Sequence, residues 1–161
     1  MIILGIDPGT ATTGYGLIKC NGEEIETLDY GSIRTSSDLD PEQRLEEIHE
    51  DIKSLINKYN PQALAIESVY FFKNAKSAIP VGQARGVAML TAVKNNLEVF
   101  EFTPLQIKMA MTGYGKAKKK QVQKMVKEHL NLEEVPKPND AADALGAALC
   151  CKRQLNNNNK E

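Results

Sequence analysis

A chain of 161 residues with a formal charge of −1, 42% apolar and 25% charged residues has the make-up of one globular domain, able to bury roughly 70% of its unfolded surface. That balance excludes collagen, coiled coil and wholesale disorder, and no apolar run approaches the ~20 residues a membrane helix needs. Three cysteines, two of them adjacent (Cys150 and Cys151), draw neither a disulfide framework nor a zinc spacing, and MIILGIDPGT lacks the features of a secretory signal, so a cytoplasmic location is expected.

Residues 2–6 (IILGI) form an apolar run stopped by Asp7-Pro8-Gly9, which predicts a buried first strand. Thr13 to Cys20 predicts a second. Asn21-Gly22 is a hairpin signal, and Ile25 to Arg34 returns the chain, completing an antiparallel meander. Asp40-Pro41-Glu42-Gln43 then opens a helix with a cap, a first-turn proline and a capping-box glutamine. Its apolar face, Leu45, Ile48, Ile52, Leu55, Ile56 and Tyr59, ends at Asn60-Pro61. ALAI (63–66) predicts a buried strand ending at Glu67. A helix from about Ser77 or Val81 to Asn95 and a strand from Leu97 to Phe102 follow, which implies parallel pairing with right-handed crossovers.

Thr103-Pro104 opens a further helix to about Met111, and Lys118 to Leu130 forms the next. The last helix is expected over Asn139 to Gln154. One domain is therefore expected over residues 1–154, with a disordered polar tail at 155–161. The fold class is α/β: a mixed five-stranded sheet, three antiparallel strands followed by parallel ones, flanked by helices.

Four carboxylates stand out by position. Asp7 and Glu67 each end a buried strand, and strands that pair in one sheet bring such ends side by side. Asp140 and Asp143 are three apart on the last helix and share a face, continued by Ala144 and Ala147, whose small size permits close approach to the sheet. Gathered together, four such charges need a cation, and oxygen ligands without His or Cys favour Mg²⁺ or Mn²⁺ over zinc. Taken singly, Asp140 also suits a helix N-terminus and Asp7 a turn. The glycines of GIDPGT and GYG fit either a close backbone approach or a turn. No GxxxxGK[ST] or GxGxxG loop occurs, and His49 and His129 read as solvent-facing helix residues without a ligand role.

Positive charge is concentrated at Lys116, Lys118, Lys119, Lys120, Lys124 and Lys127, a stretch without an acid. Lys120, Lys124 and Lys127 share one side of a helix, which points to a phosphate backbone rather than to ion pairing. Tyr70-Phe71-Phe72, just after Glu67, supplies aromatic rings able to stack on or wedge between bases.

In GIDPGTATTGYG, AIESVYFFKNAKSA, VGQARGVA and NDAADALGAAL, taken in that order, the sequence resembles the RuvC crossover junction endodeoxyribonucleases, bacterial Holliday junction resolvases of the ribonuclease-H-like superfamily. The resemblance spans about residues 1–152. It implies an acidic catalytic and metal-binding tetrad at Asp7, Glu67, Asp140 and Asp143, holding two Mg²⁺ ions with Mn²⁺ as a substitute. It implies DNA contacts at Tyr70, Lys108 and Lys119, with Lys116, Lys118 and Lys120 beside them. It further implies a homodimer that nicks a four-way DNA junction symmetrically during recombination and repair, leaves 5′-phosphate and 3′-hydroxyl ends, and works with RuvA and RuvB. The competing readings are another ribonuclease-H-like nuclease, an ATP-binding module of the actin or sugar-kinase type, and a non-catalytic scaffold for branched nucleic acid.

Overall fold

Strands β1 (Ile2–Asp7), β2 (Thr12–Asn21) and β3 (Glu24–Arg34) form the expected antiparallel meander in a computed structural model that describes residues 1–68 and 75–158. The β2–β3 turn is two residues long, Gly22 taking a left-handed φ of 61° that glycine adopts without steric penalty. Helix α1 (Pro41–Tyr59) follows, then β4 (Ala63–Glu67), α2 (Ala75–Lys94), β5 (Glu98–Phe102), α3 (Pro104–Thr112), α4 (Lys119–His129) and α5 (Asn139–Asn158). The sheet order is β3-β2-β1-β4-β5, with β4 parallel to both β1 and β5. This is the ribonuclease-H-like mixed sheet that the sequence led us to expect.

Local signals fix the helix starts. The Asp40 N–H donates to the Gln43 side chain at 3.0 Å ahead of α1. Thr103 and Gln106 bond each other reciprocally at the start of α3, at 2.8 and 3.0 Å, completing a capping box.

Strand alternation sends side chains to two cores. Leu4, Ile6, Leu17, Leu64 and Ile66 pack under α1 and α2, where Ile48, Ile52, Ala84 and Ala88 meet them. Ile3, Ile18, Ala63 and Ala65 face α3, α4 and α5, whose Ile107, Val126, Leu145 and Ala148 close the other side. Helix α5 lies almost directly on the strands. A methyl group at Gly5 would overlap the Ala144 carbonyl, and one at Gly16 would lie 2.6 Å from the Leu145 side chain. The strand glycines thus serve close approach rather than turns.

Three expectations need correction. Helix α2 starts at Ala75 and runs through Pro80, which stands in its second turn at the loss of one backbone hydrogen bond. Helix α5 continues past Gln154 to Asn158, where Leu155 packs on the core and anchors the added turn. His49 is half-buried, its Nδ1 lying 2.8 Å from the Thr91 hydroxyl, which itself donates to the Val87 carbonyl, so the ring ties α1 to α2. Among the described residues no helix is long and apolar enough to cross a membrane.

Candidate active site

Asp7 and Glu67 are neighbours because β1 and β4 run parallel, with Ile6 registered against Ile66. Period-two alternation sends both carboxylates to the α5 side: Ile3 and Gly5 precede Asp7 on that face, and Ala63 and Ala65 precede Glu67. Across β1, Asp7 is registered against Gly14, where a methyl group would overlap the Asp140 carbonyl and lie 2.8 Å from the Asp140 Cβ. A residue without a side chain therefore lets the first turn of α5 press Asp140 towards Asp7.

Carboxylate oxygens of Asp7, Asp140 and Asp143 all lie within 4.8 Å of one another. Glu67 stands outside that trio but lines the same cleft, about 390 Å³, with Lys108, Lys119, Pro104, Ile107, Val122 and Gly146. The Lys119 Nζ reaches Asp143 Oδ2 at 2.9 Å.

The electrostatics are those of a site short of positive charge. Burial, followed by the charges of Glu67, Asp143 and Asp140, pushes Asp7 up to about 8 against the pull of Lys119. Burial and then Asp143 push Glu67 up to about 7, with Lys119 and Lys108 opposing. Burial also raises Asp143 in spite of its bond to Lys119. For Lys119, burial works against the ammonium, yet the hydrogen bond to Asp143 and the charges of Asp143, Asp7 and Asp140 leave it raised.

Of the residues singled out from the sequence, Asp7, Glu67, Asp140, Asp143, Lys108 and Lys119 come together in one cleft. Lys116, Lys118 and Lys120 are exposed beside Lys119 along the chain and do not line it. Tyr70, with Phe71 and Phe72, lies outside the described residues. The lysine segment is not free of ion pairs: Lys119 binds Asp143, and Lys124 lies 3.8 Å from Glu128 one turn on, because acids absent from the stretch arrive from α5 and from its far end. The cleft walls Pro104, Ile107, Val122 and Gly146 carried no chemical signal in the sequence. Gly14 did, as a glycine inside a strand.

The family model described as crossover junction endodeoxyribonuclease RuvC matches residues 3–151. The chain belongs to the RuvC family. The crossover junction endodeoxyribonuclease RuvC of Natranaerobius thermophilus is 53% identical over 150 residues, covering 93% of each chain. The structure of Thermus thermophilus RuvC superposes with a TM-score of 0.91 at 30% identity, over 98% of this chain and 97% of that one. The same RuvC in complex with a Holliday junction substrate gives 0.87 at 32% identity, over 93% and 92%. This RuvC family member thus shares sequence and fold with its relatives along nearly its whole length.

Proposed function

We propose that the protein is a divalent-metal-dependent endonuclease that resolves four-way DNA junctions by paired symmetric nicks, leaving 5′-phosphate and 3′-hydroxyl ends. The observation that carries this reading is the convergence of Asp7, Asp140 and Asp143 within 4.8 Å in a cleft that also holds Glu67 and two lysines. The donor set fits a hard cation: it is all carboxylate oxygen, and burial with mutual repulsion drives Asp7 and Glu67 to bind a positive partner. Asp7, Asp140 and Asp143 would hold one Mg²⁺ or Mn²⁺, and Glu67 with Asp7 a second. Such ions, when bound, activate water and neutralise charge on a phosphodiester.

The chain's own groups supply the rest. Asp7 and Glu67, rooted in strand ends, fix the donors with little freedom to move, and α5 delivers the other two from a rigid helix. Lys108 and Lys119 face the cleft as ammonium groups that attract a phosphate and stabilise its developing charge. Pro104, Ile107 and Val122 make one wall apolar, which lowers the local dielectric and strengthens those interactions. Lys116, Lys118 and Lys120 extend the basic surface for DNA arms, salt-dependent in their contribution. Tyr70 as a junction wedge, and cooperation with RuvA and RuvB, are carried by family resemblance alone.

A homodimer is supported by α2, where Ile79, Leu90 and Val93 are 71%, 60% and 61% exposed. With Gly82 and Gly86, around which a methyl group would meet nothing, they line one helical face at the spacing of a helix-pairing seam. A second copy presenting the same face buries both stripes and sets two clefts on one four-way substrate.

The deciding experiment is cleavage of a synthetic four-way junction with Mg²⁺ or EDTA, beside linear duplex and RNA–DNA hybrid. Symmetric, metal-dependent nicks confined to the junction are expected. Equal cutting of the hybrid, or none of the junction, overturns the reading.

A further inference from the structure

The loop that follows Asp7 is held by its carbonyl groups. Thr13, 1% exposed at the start of β2, donates its hydroxyl to the Gly9 carbonyl at 2.5 Å. Thr35, 9% exposed just beyond β3, donates its hydroxyl to the Thr10 carbonyl at 2.5 Å and its backbone N–H to the Ala11 carbonyl at 3.2 Å. Three consecutive loop carbonyls are thereby tied to the middle strand of the meander and to the residue that follows its third strand.

The location gives these bonds their consequence. Asp7 is the last residue of β1, and its pairing with Gly14 is the last rung of that ladder. Beyond it the chain turns through Pro8 and Gly9, the latter too close to the Thr12 carbonyl to carry a side chain. Meanwhile Asp140 and Asp143 crowd Asp7 from α5, the carboxylate oxygens of the three all lying within 4.8 Å of one another. Past that last rung residues 8–11 belong to no strand, and the two threonine hydroxyls hold them instead.

We propose that Thr13 and Thr35 are positioning residues for cleavage, clamping the Gly9–Ala11 loop so that the Asp7 carboxylate stays where a cation shared with Asp140 and Asp143 meets it. The proposal rests on the metal-dependent nuclease reading above. It assigns a role to two buried hydroxyls that are not among the residues lining the acidic cleft.

The test compares Thr35→Val, which keeps the shape and removes the hydroxyl, with Thr35→Ser, which keeps the hydroxyl. Two readouts are taken: the Mn²⁺ concentration giving half of the maximal rise in Tm without DNA, and kcat and KM on a four-way junction. For Thr35→Val the Mn²⁺ midpoint is expected to rise several-fold and kcat to fall roughly ten-fold or more, since small misplacements of a reacting centre are that costly. Its KM and its affinity for the junction in EDTA stay within about two-fold, as no lysine is disturbed. Thr35→Ser restores both readouts. A Thr35→Val protein with wild-type midpoint and kcat overturns the clamp, as does a Thr35→Ser protein equally impaired. If Thr35→Val does not fold, Thr13→Val against Thr13→Ser makes the same comparison. Wild-type protein that neither responds to Mn²⁺ nor cuts the junction sinks the nuclease reading itself, whereas an active wild type with an unaffected valine variant sinks only the clamp.

Discussion

The Lys119 ammonium stands 2.9 Å from the Asp143 carboxylate, joining the first turn of α4 to the first turns of α5 inside the acidic cleft. Lys119 is largely solvent-exposed, so the pair adds little to stability and its value lies in the field it sets. Lys119→Met is expected to slow junction nicking by roughly 10²-fold, the usual loss when one charge-stabilising group is removed. Its Tm in EDTA should stay near that of the wild type. Single-turnover nicking measures the first and thermal melting the second, and a variant that cuts at the wild-type rate removes Lys119 from the proposed machinery.

Asp7→Asn separates cleavage from binding. It removes an oxygen donor at the centre of the cluster while leaving every lysine in place, so nicking should be lost and junction affinity kept within a few-fold. The same substitution should stabilise the metal-free protein at neutral pH by on the order of a few kcal/mol, because the neutral amide spares the protein the uptake of a proton that burying Asp7 demands on folding. Gel-shift titration, nicking and chemical denaturation test the three parts, and equal loss of binding and cutting would refute the separation.

The pH dependence has a definite sign. Asp7 rises from 3.8 to about 8 on folding, and Glu67 from 4.5 to about 7, so between about pH 4 and 8 the folded protein holds more protons than the unfolded chain. Stability contributed by these groups is full below pH 4 and drains away as pH climbs to 8. Without metal, Tm should therefore decline across this window, and less steeply in Asp7→Asn. Stabilisation by Mg²⁺ should grow with pH, since the ion displaces those protons. A metal effect that is flat between pH 5 and 8 would contradict the assignment of Asp7 and Glu67 as ligands.

Gly14→Ala should damage the site more than the fold. The added methyl overlaps the Asp140 carbonyl, forcing α5 outward at its first turn. Overpacking of this kind costs about 1–3 kcal/mol, which denaturant unfolding will report. Nicking should fall by far more than the loss of folded protein accounts for, because Asp140 leaves the trio. Full activity in the folded variant would show that the helix tolerates displacement.

Charge placed on the apolar stripe of α2 should split the proposed homodimer. Leu90→Glu combined with Val93→Glu is expected to yield a monomer by sedimentation, with Tm little changed because both side chains are exposed in the single chain. Symmetric paired nicking should fail while the metal-induced shift in Tm persists. A double variant that remains dimeric moves the contact elsewhere.

Much of this protein is legible locally. Asp40 with Gln43 and Thr103 with Gln106 announce helix starts through bonds spanning three residues, and IILGI and ALAI announce strands by composition alone. The four acids and the lysine stretch were visible for the same reason, since unusual charge next to buried strands needs no tertiary information to be noticed. The helix from Ala75 was harder to delimit, because Pro80 reads as a boundary unless the turns before it are known to form. The last turn of α5 is not legible locally, because the holding force is the contact of Leu155 with a distant core.

The sequence by itself determined which residues carry charge, where strands and helices begin, and that oxygen donors outnumber any other ligand type. Only the tertiary structure decided that Asp7, Asp140 and Asp143 meet while Glu67 stands slightly apart, and that Gly5, Gly14 and Gly16 exist to let α5 settle on the strands. It alone showed Lys119 turned onto Asp143 and two threonine hydroxyls gripping the loop beyond Asp7. The reason is one of range: capping and periodicity act over a few residues, whereas distances between side chains more than a hundred positions apart depend on register, strand direction and how closely two backbones can approach.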